Sequence, residues 1–228
     1  MKILEIKSLV FPEIKVIKFT RFSDNRGYFT ETYRYSDFEN QPIRLCSGLI
    51  LSGVRRRRMY QFIKGIKFVQ INESYSKKGV IRGLHFQWNP YMGKLVRVIS
   101  GHIIDLFLDI RKNSPTFGKI GGYELKSALN DELNHWIWIP VGFAHGIVCL
   151  EESTIEYLCT GEYSPGCEAG ISPLTDDIDW SLCDKKIKNQ FDELVKKGAA
   201  VSEKDRRELT VEEWRKDKRS ENFIYGKL

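Results

Sequence analysis

The sequence predicts a mainly β protein, an antiparallel sandwich or barrel that carries a helical C-terminal extension. Three observations lead there. From residue 67 onward short β-prone runs recur roughly every ten residues with turn residues between them. Nothing between those runs is long enough for the crossover helices that parallel strands require. After Trp180 the character changes, and residues 184–228 are highly charged, with Glu and Lys at helical spacing.

The elements follow in order. Residues 3–19 alternate short apolar and charged groups and give two short strands around Phe11-Pro12. Asp24-Asn25-Arg26-Gly27 is a turn, leading into the β-forming run Tyr28–Tyr33. One helical turn is expected over Tyr35–Asn40. Residues 41–66 are irregular, carry four arginines at Arg55–Arg58, and have the character of an insertion. Strands are then expected at 67–73, 79–87, 94–100, 102–110, 119–126, 136–139, 144–150 and 154–162. Ser76-Lys77-Lys78-Gly79, Asn89-Pro90, Ser100-Gly101 and Asn113-Ser114-Pro115 are the breaks. Helical windows at 184–197 and 203–216 complete the chain, which divides into a barrel over 1–183 and an extension over 184–228.

With 228 residues, 42% hydrophobic and 12% aromatic, the chain has enough apolar surface for one substantial core. The net charge of +6 is mostly scattered lysine, which gives a solvated surface and no nucleic-acid footprint; a site for a phosphorylated small molecule has the same composition. Five cysteines without CxxC or Cys/His spacing argue against a disulfide framework and a zinc site. The N-terminal apolar residues are interrupted by charge too early for a signal peptide, and no run approaches a membrane span. These features predict a cytoplasmic protein.

The stretch Val80–Lys94 is the most informative. Strict alternation puts Gly83, His85 and Gln87 on one strand face and Leu84 and Phe86 on the other. An isolated strand histidine is most often a satisfied core residue; here glycine and glutamine share its face, which suits a cavity wall. Arg82 falls on the opposite face unless Gly83 forms a bulge. Lys94 returns after the Asn/Pro/Gly turn. Asp105, Phe107 and Asp109 share a face of the run 103–110, with Lys94 and Arg97 the nearest candidate partners for the carboxylates; an exposed face on an edge strand is the alternative. Tyr163 follows a strand, and Asp176, Asp177 and Asp179 precede Trp180. A tyrosine hydroxyl is a competent general acid, and a buried aspartate holds an imidazole in one tautomer.

Pro140-x-Gly142-x-x-His145 resembles the second motif of the cupin barrels, whose histidine points into the barrel. The first cupin motif supplies His-x-His, but this chain has His85-Phe86-Gln87, so a firmly held metal is not expected. A metal-binding cupin and a non-catalytic binding protein remain as competing classes.

Together these segments resemble the dTDP-4-dehydrorhamnose 3,5-epimerase family, the sugar-nucleotide epimerases of the cupin superfamily. The matching strings are Phe22-x-Asp24-x-Arg26-Gly27-x-Phe29-x-Glu31, Phe68-Val69-Gln70-x-Asn72-x-Ser74-x-Ser76, Arg82–Gln87, Gly93–Arg97, Asp109-Ile110-Arg111-x-x-Ser114–Gly118 and Ile139-Pro140-x-Gly142–Gly146. They occur in order over about residues 8–180. The 41–66 insertion, the charged tail and a shortened acidic segment near Asp176 depart from the family pattern. The resemblance implies a cupin-type jelly-roll barrel that inverts C3 and C5 of a nucleotide-linked 4-keto-6-deoxyhexose through an enolate, without metal or redox cofactor. Inversion of one carbon only, on another nucleotide sugar, is the closest alternative. By position His85 is the base, Tyr163 the acid, Lys94 the enolate-stabilising cation and Asp176 the group that orients His85, with Asp177 its competitor. Arg26, Glu31 and Arg82 fall where the family handles diphosphate and nucleoside. Phe22, Phe29, Gln70 and Asn72 line the nucleotide or sugar site, and His145 is a second pocket histidine. The family forms homodimers with exchanged N-terminal strands, so Arg26 and Glu31 serve the neighbouring subunit.

Overall fold

In the computed structural model, the described residues are 3–36, 66–127 and 133–228. The arginine cluster Arg55–Arg58 and nearly all of the 41–66 stretch lie outside them, as does most of the Tyr35–Asn40 turn.

Thirteen strands are described: β1 (Ile3–Ser8), β2 (Lys15–Thr20), β3 (Phe22–Asp24), β4 (Gly27–Phe29), β5 (Gln70–Ser76), β6 (Val80–Gln87), β7 (Lys94–Asp109), β8 (Ile120–Ser127), β9 (Leu133–Ile139), β10 (Phe143–Cys149), β11 (Ser153–Cys159), β12 (Glu168–Gly170) and β13 (Ala200–Val201). Helices α1 (Lys185–Lys196), α2 (Glu203–Arg206) and α3 (Val211–Lys216) and a 3-10 turn (Lys218–Asn222) lie in the extension.

The two strands expected at 94–100 and 102–110 are one strand. β7 runs through both layers of the barrel: its first half pairs with β9 and β11, and its second half with β8 and β10. Gly101 makes this bend, with φ at +96° and a virtual Cβ 2.2 Å from the Glu152 carbonyl oxygen. A side chain there meets backbone at the corner, so the turn signal marks a bend and not a break. One layer is β1-β2-β9-β7-β11-β5 and the other is β8-β7-β10-β6, with β12 and the short parallel β13 along the outer edge of β6. Apart from β13 the named pairings are antiparallel.

Alternation then divides the core. Phe11, Val96, Ile103, Phe107, Ile137, Phe143 and Ile155 fill the space between the layers. The opposite face of β6 and β7, with Leu84, Phe86, Ile104, Leu106 and Leu108, packs on Ile187, Phe191, Trp214 and Phe223 of the extension. This face is too apolar to stand in water, and the amphipathic extension is its cover. The helical window at 203–216 is two short helices, each opened by its own cap, Ser202 and Thr210.

Candidate active site

At Gly83 the strand β6 slips register against β10: His145 faces His85, whereas Ile147 faces Arg82. Gly83 has φ at +105°, and a Cβ on it would lie 2.6 Å from the His145 carbonyl oxygen. This irregularity brings Arg82 onto the cavity that His85 lines, which strict alternation forbids. Arg82 is held at the rim by Nε donating to Ser76 Oγ at 2.8 Å.

Two cavities meet at the wall formed by His85, Lys94 and Tyr157. One, of about 580 Å³, is also lined by Arg82, His145, Ser202 and Asp205; the other, of about 410 Å³, by Gln70, Asn72, Gln87, Tyr163 and Glu168. Both lie in the size range of small-molecule sites.

The partner of His85 is Asp205, not Asp176 or Asp177. His85 Nε2 lies 2.8 Å from Asp205 Oδ1, and Gly83 N donates to Oδ2 at 3.2 Å. Burial acts to raise the Asp205 carboxyl, but the bonds from His85, Gly83 and Ser202 outweigh it and hold it below the usual carboxylate range. An ionised Asp205 makes Nε2 the donor and leaves Nδ1 with its lone pair free to accept. The histidine side chain is 33% exposed and that of its partner 7%, so the imidazole is reachable and the carboxylate that orients it is sealed. Asp176 is exposed, and Asp177 instead accepts from the backbone N–H groups of Val211 and Glu212 at the start of α3. The two acidic residues lie in a loop used to cap a helix. Asp205 was missed because it stands in the charged tail, where Ser202-x-x-Asp205 gives only a helix-start signal; the Ser202 hydroxyl accepts from Asp205 N at 3.0 Å.

The carboxylates of β7 also find partners other than those expected. Asp105 Oδ2 lies 3.0 Å from His145 Nε2, Asp109 binds Arg111, Ser114 and Thr116, and Arg97 pairs with Glu156. All of 103–110 is buried, which removes the edge-strand alternative. Lys94 stays on the cavity wall. Desolvation pushes its ammonium below the ordinary lysine value, against the opposing pull of Cys159, Asp105 and Glu168.

Tyr163 is exposed at the mouth of the smaller cavity, its hydroxyl donating to Glu168 Oε1 at 3.1 Å. Gln87 fixes this segment by accepting from Ser164 N and donating to the carbonyls of Pro90 and Glu162, and Gln70 accepts from Tyr163 N. Asn72 receives the Gln70 amide. Phe22, Arg26, Phe29 and Glu31 lie apart. They sit on or beside the exposed β3–β4 hairpin, where Arg26 pairs with Asp24 and Glu31 with Arg34, and none lines either cavity of its own chain. Among the described residues no group of three or more His, Cys, Asp or Glu side chains converges as a metal site. His85 and His145 are each committed to an aspartate.

The profile of the dTDP-4-dehydrorhamnose 3,5-epimerase family matches residues 8–213. The dTDP-4-dehydrorhamnose 3,5-epimerase of Methanothermobacter thermautotrophicus is 39% identical over 189 residues, covering 81% of this chain and 82% of the relative. That of Salmonella typhimurium is 38% identical over 205 residues, covering 87% and 94%. The crystal structure of the Legionella pneumophila dTDP-6-deoxy-D-glucose-3,5-epimerase in complex with dTDP-4-keto-L-rhamnose superposes with a TM-score of 0.69 at 30% identity, covering 96% of this chain and 97% of that one. With a match that spans the barrel and reaches past Asp205, the chain belongs to the dTDP-4-dehydrorhamnose 3,5-epimerase family.

Proposed function

We propose that this chain epimerises a dTDP-linked 4-keto-6-deoxyhexose at C3 and C5. The observation that carries the proposal is the His85–Asp205 dyad on a cavity wall shared with Lys94. Hydrogens beside a ketone are acidic because the carbanion delocalises onto oxygen as an enolate. His85 takes the proton, breaking the C–H bond. Lys94 stabilises the enolate oxygen, an interaction that a partly dry cavity strengthens. Tyr163 delivers a proton to the opposite face, forming the new C–H bond with inverted configuration. Gln70, Asn72, Arg82 and His145 contact the substrate around these groups.

The reading is completed by a second copy of the chain. The hairpin carrying Phe22, Arg26 and Phe29, with Glu31 just beyond it, projects from its own barrel with both strands exposed. In a homodimer with exchanged N-terminal strands these residues cap the neighbour's cavity and hold the nucleotide. The free, mostly buried Cys149, Cys159 and Cys183 fit a reducing compartment such as the cytoplasm, and among the described residues no helix is long and apolar enough to cross a membrane.

The test is the incubation of dTDP-4-keto-6-deoxyglucose with the protein in D2O, read by NMR. The wild type exchanges hydrogen at C3 and C5, and His85→Ala, folded by circular dichroism, exchanges at neither. Near-normal exchange in the mutant removes His85 from the mechanism, and exchange at one carbon alone makes the chain a mono-epimerase. Mixing His85→Ala with Arg26→Ala tests the shared site, since hybrid dimers regain one intact cavity.

A further inference from the structure

The carboxylate that accepts from Tyr163 has a second partner. Glu168 Oε1 takes the Tyr163 hydroxyl at 3.1 Å and the Lys204 ammonium at 3.0 Å. Glu168 opens β12, opposite Gln87 on β6, and lines the smaller cavity. Lys204 lies on α2, one residue before Asp205. A single helical turn therefore reaches the base through Asp205 and the acid through Lys204 and Glu168. Main-chain pairing of β13 with β6 and the Ser202 cap anchor that turn.

We infer that Glu168 and Lys204 are positioning residues for the acid step, Glu168 holding the Tyr163 phenol in its proton-bearing form at the cavity and Lys204 holding Glu168 in place as a carboxylate. The inference rests on the reading of Tyr163 as the acid. The hydrogen bond and negative charge of Glu168 raise the Tyr163 phenol above its ordinary value, because a phenolate would face an anion. Burial acts to raise Glu168, but the Lys204 bond and charge prevail and keep it below the usual carboxylate range. After one inversion His85 holds the proton taken from carbon and Tyr163 has lost the proton given to carbon. The second inversion requires both to be reset. A phenolate beside a carboxylate is the stronger base and recovers its proton from water, while the imidazolium returns its own to the hydroxide formed. No proton is gained or lost over the cycle.

The experiment uses the full-length chain with Glu168→Gln and Lys204→Met, each with and without Tyr163→Phe, so that tyrosinate absorbance isolates the Tyr163 ionisation. Both variants move that ionisation to lower pH. Glu168→Gln removes the group that opposes phenolate formation. Lys204→Met releases Glu168 from its place beside the hydroxyl, so the phenol loses part of the same opposition and the shift is smaller. In turnover Glu168→Gln lowers kcat about tenfold or more with KM nearly unchanged. An upward shift in Lys204→Met, or no shift in either variant, overturns the inference. A raised KM with intact kcat makes Glu168 a sugar contact and also overturns it. Lys204 is a surface side chain, so its variant keeps the fold and its downward shift remains readable even if Glu168→Gln disturbs β12. Failure of the wild type to turn over any 4-keto nucleotide sugar sinks the epimerase reading separately, because the absorbance shifts are read without substrate.

Discussion

At His85 the decisive neighbour is a carboxylate 120 residues further along the chain. Asp205→Asn keeps the shape but leaves an amide that no longer fixes the tautomer or balances an imidazolium. It lowers kcat by about a thousandfold or more with KM little changed, whereas Asp176→Asn on the exposed loop leaves turnover at the wild-type level. Steady-state kinetics on the two variants decides between them. Because the Asp205 value is depressed in the folded state, its stabilisation is present above the ordinary carboxylate range and is lost as pH falls through the lower folded value. The stability gap between wild type and Asp205→Asn therefore narrows in acid, as denaturant titration at several pH values will show. Lys94 behaves in the opposite way. Its folded value is below its unfolded one, so a charged Lys94 costs stability at neutral pH, and the cost disappears as pH rises from the folded to the unfolded value. Lys94→Met abolishes turnover while thermal melting at neutral pH stays level or rises. A drop in melting temperature makes Lys94 a structural residue.

Among the elements, β6 and the extension matter most. The register slip at Gly83 turns Arg82 to the cavity and lets the backbone of β10 approach closely. Gly83→Ala puts a Cβ into the His145 carbonyl at a positive φ, so it destabilises by about 2–3 kcal/mol and displaces both histidines; urea titration and exchange kinetics measure the two losses. The extension covers the outer face of the second layer through Trp214, which is fully buried, stacks edge-on against Phe86 at 4.6 Å and donates its indole N–H to the Ile110 carbonyl. Trp214→Ala costs about 3–5 kcal/mol of stability. As the same cover carries Asp205, activity in Trp214→Ala falls along with thermal stability.

Taken as a whole, the tail over 184–228 is part of the candidate site as well as of the fold, because it supplies the carboxylate partner of His85. Both cavity histidines are engaged by aspartates, and among the described residues no third ligand stands with them. We expect turnover to survive exhaustive chelation. Loss with EDTA and recovery with one divalent ion points to the metal-cupin class.

Local pattern carried much of this in the sequence. Period-two alternation sets the faces of β6 and β7, since a strand has only two, and so the sequence alone put His85 on a cavity wall and Asp105 on one face with Phe107 and Asp109; that this face is buried came from the structure. It also gave the strand rhythm, the helical character of the tail and, through Pro140-x-Gly142-x-x-His145, the second histidine. Partnerships were decided by tertiary structure. Which aspartate meets His85, whether Gly101 breaks or bends β7, and that Lys204 reaches Glu168 are contacts between residues far apart in the chain. Nothing in the composition of a charged tail separates a solvated aspartate from one that the closing of the fold buries against an imidazole.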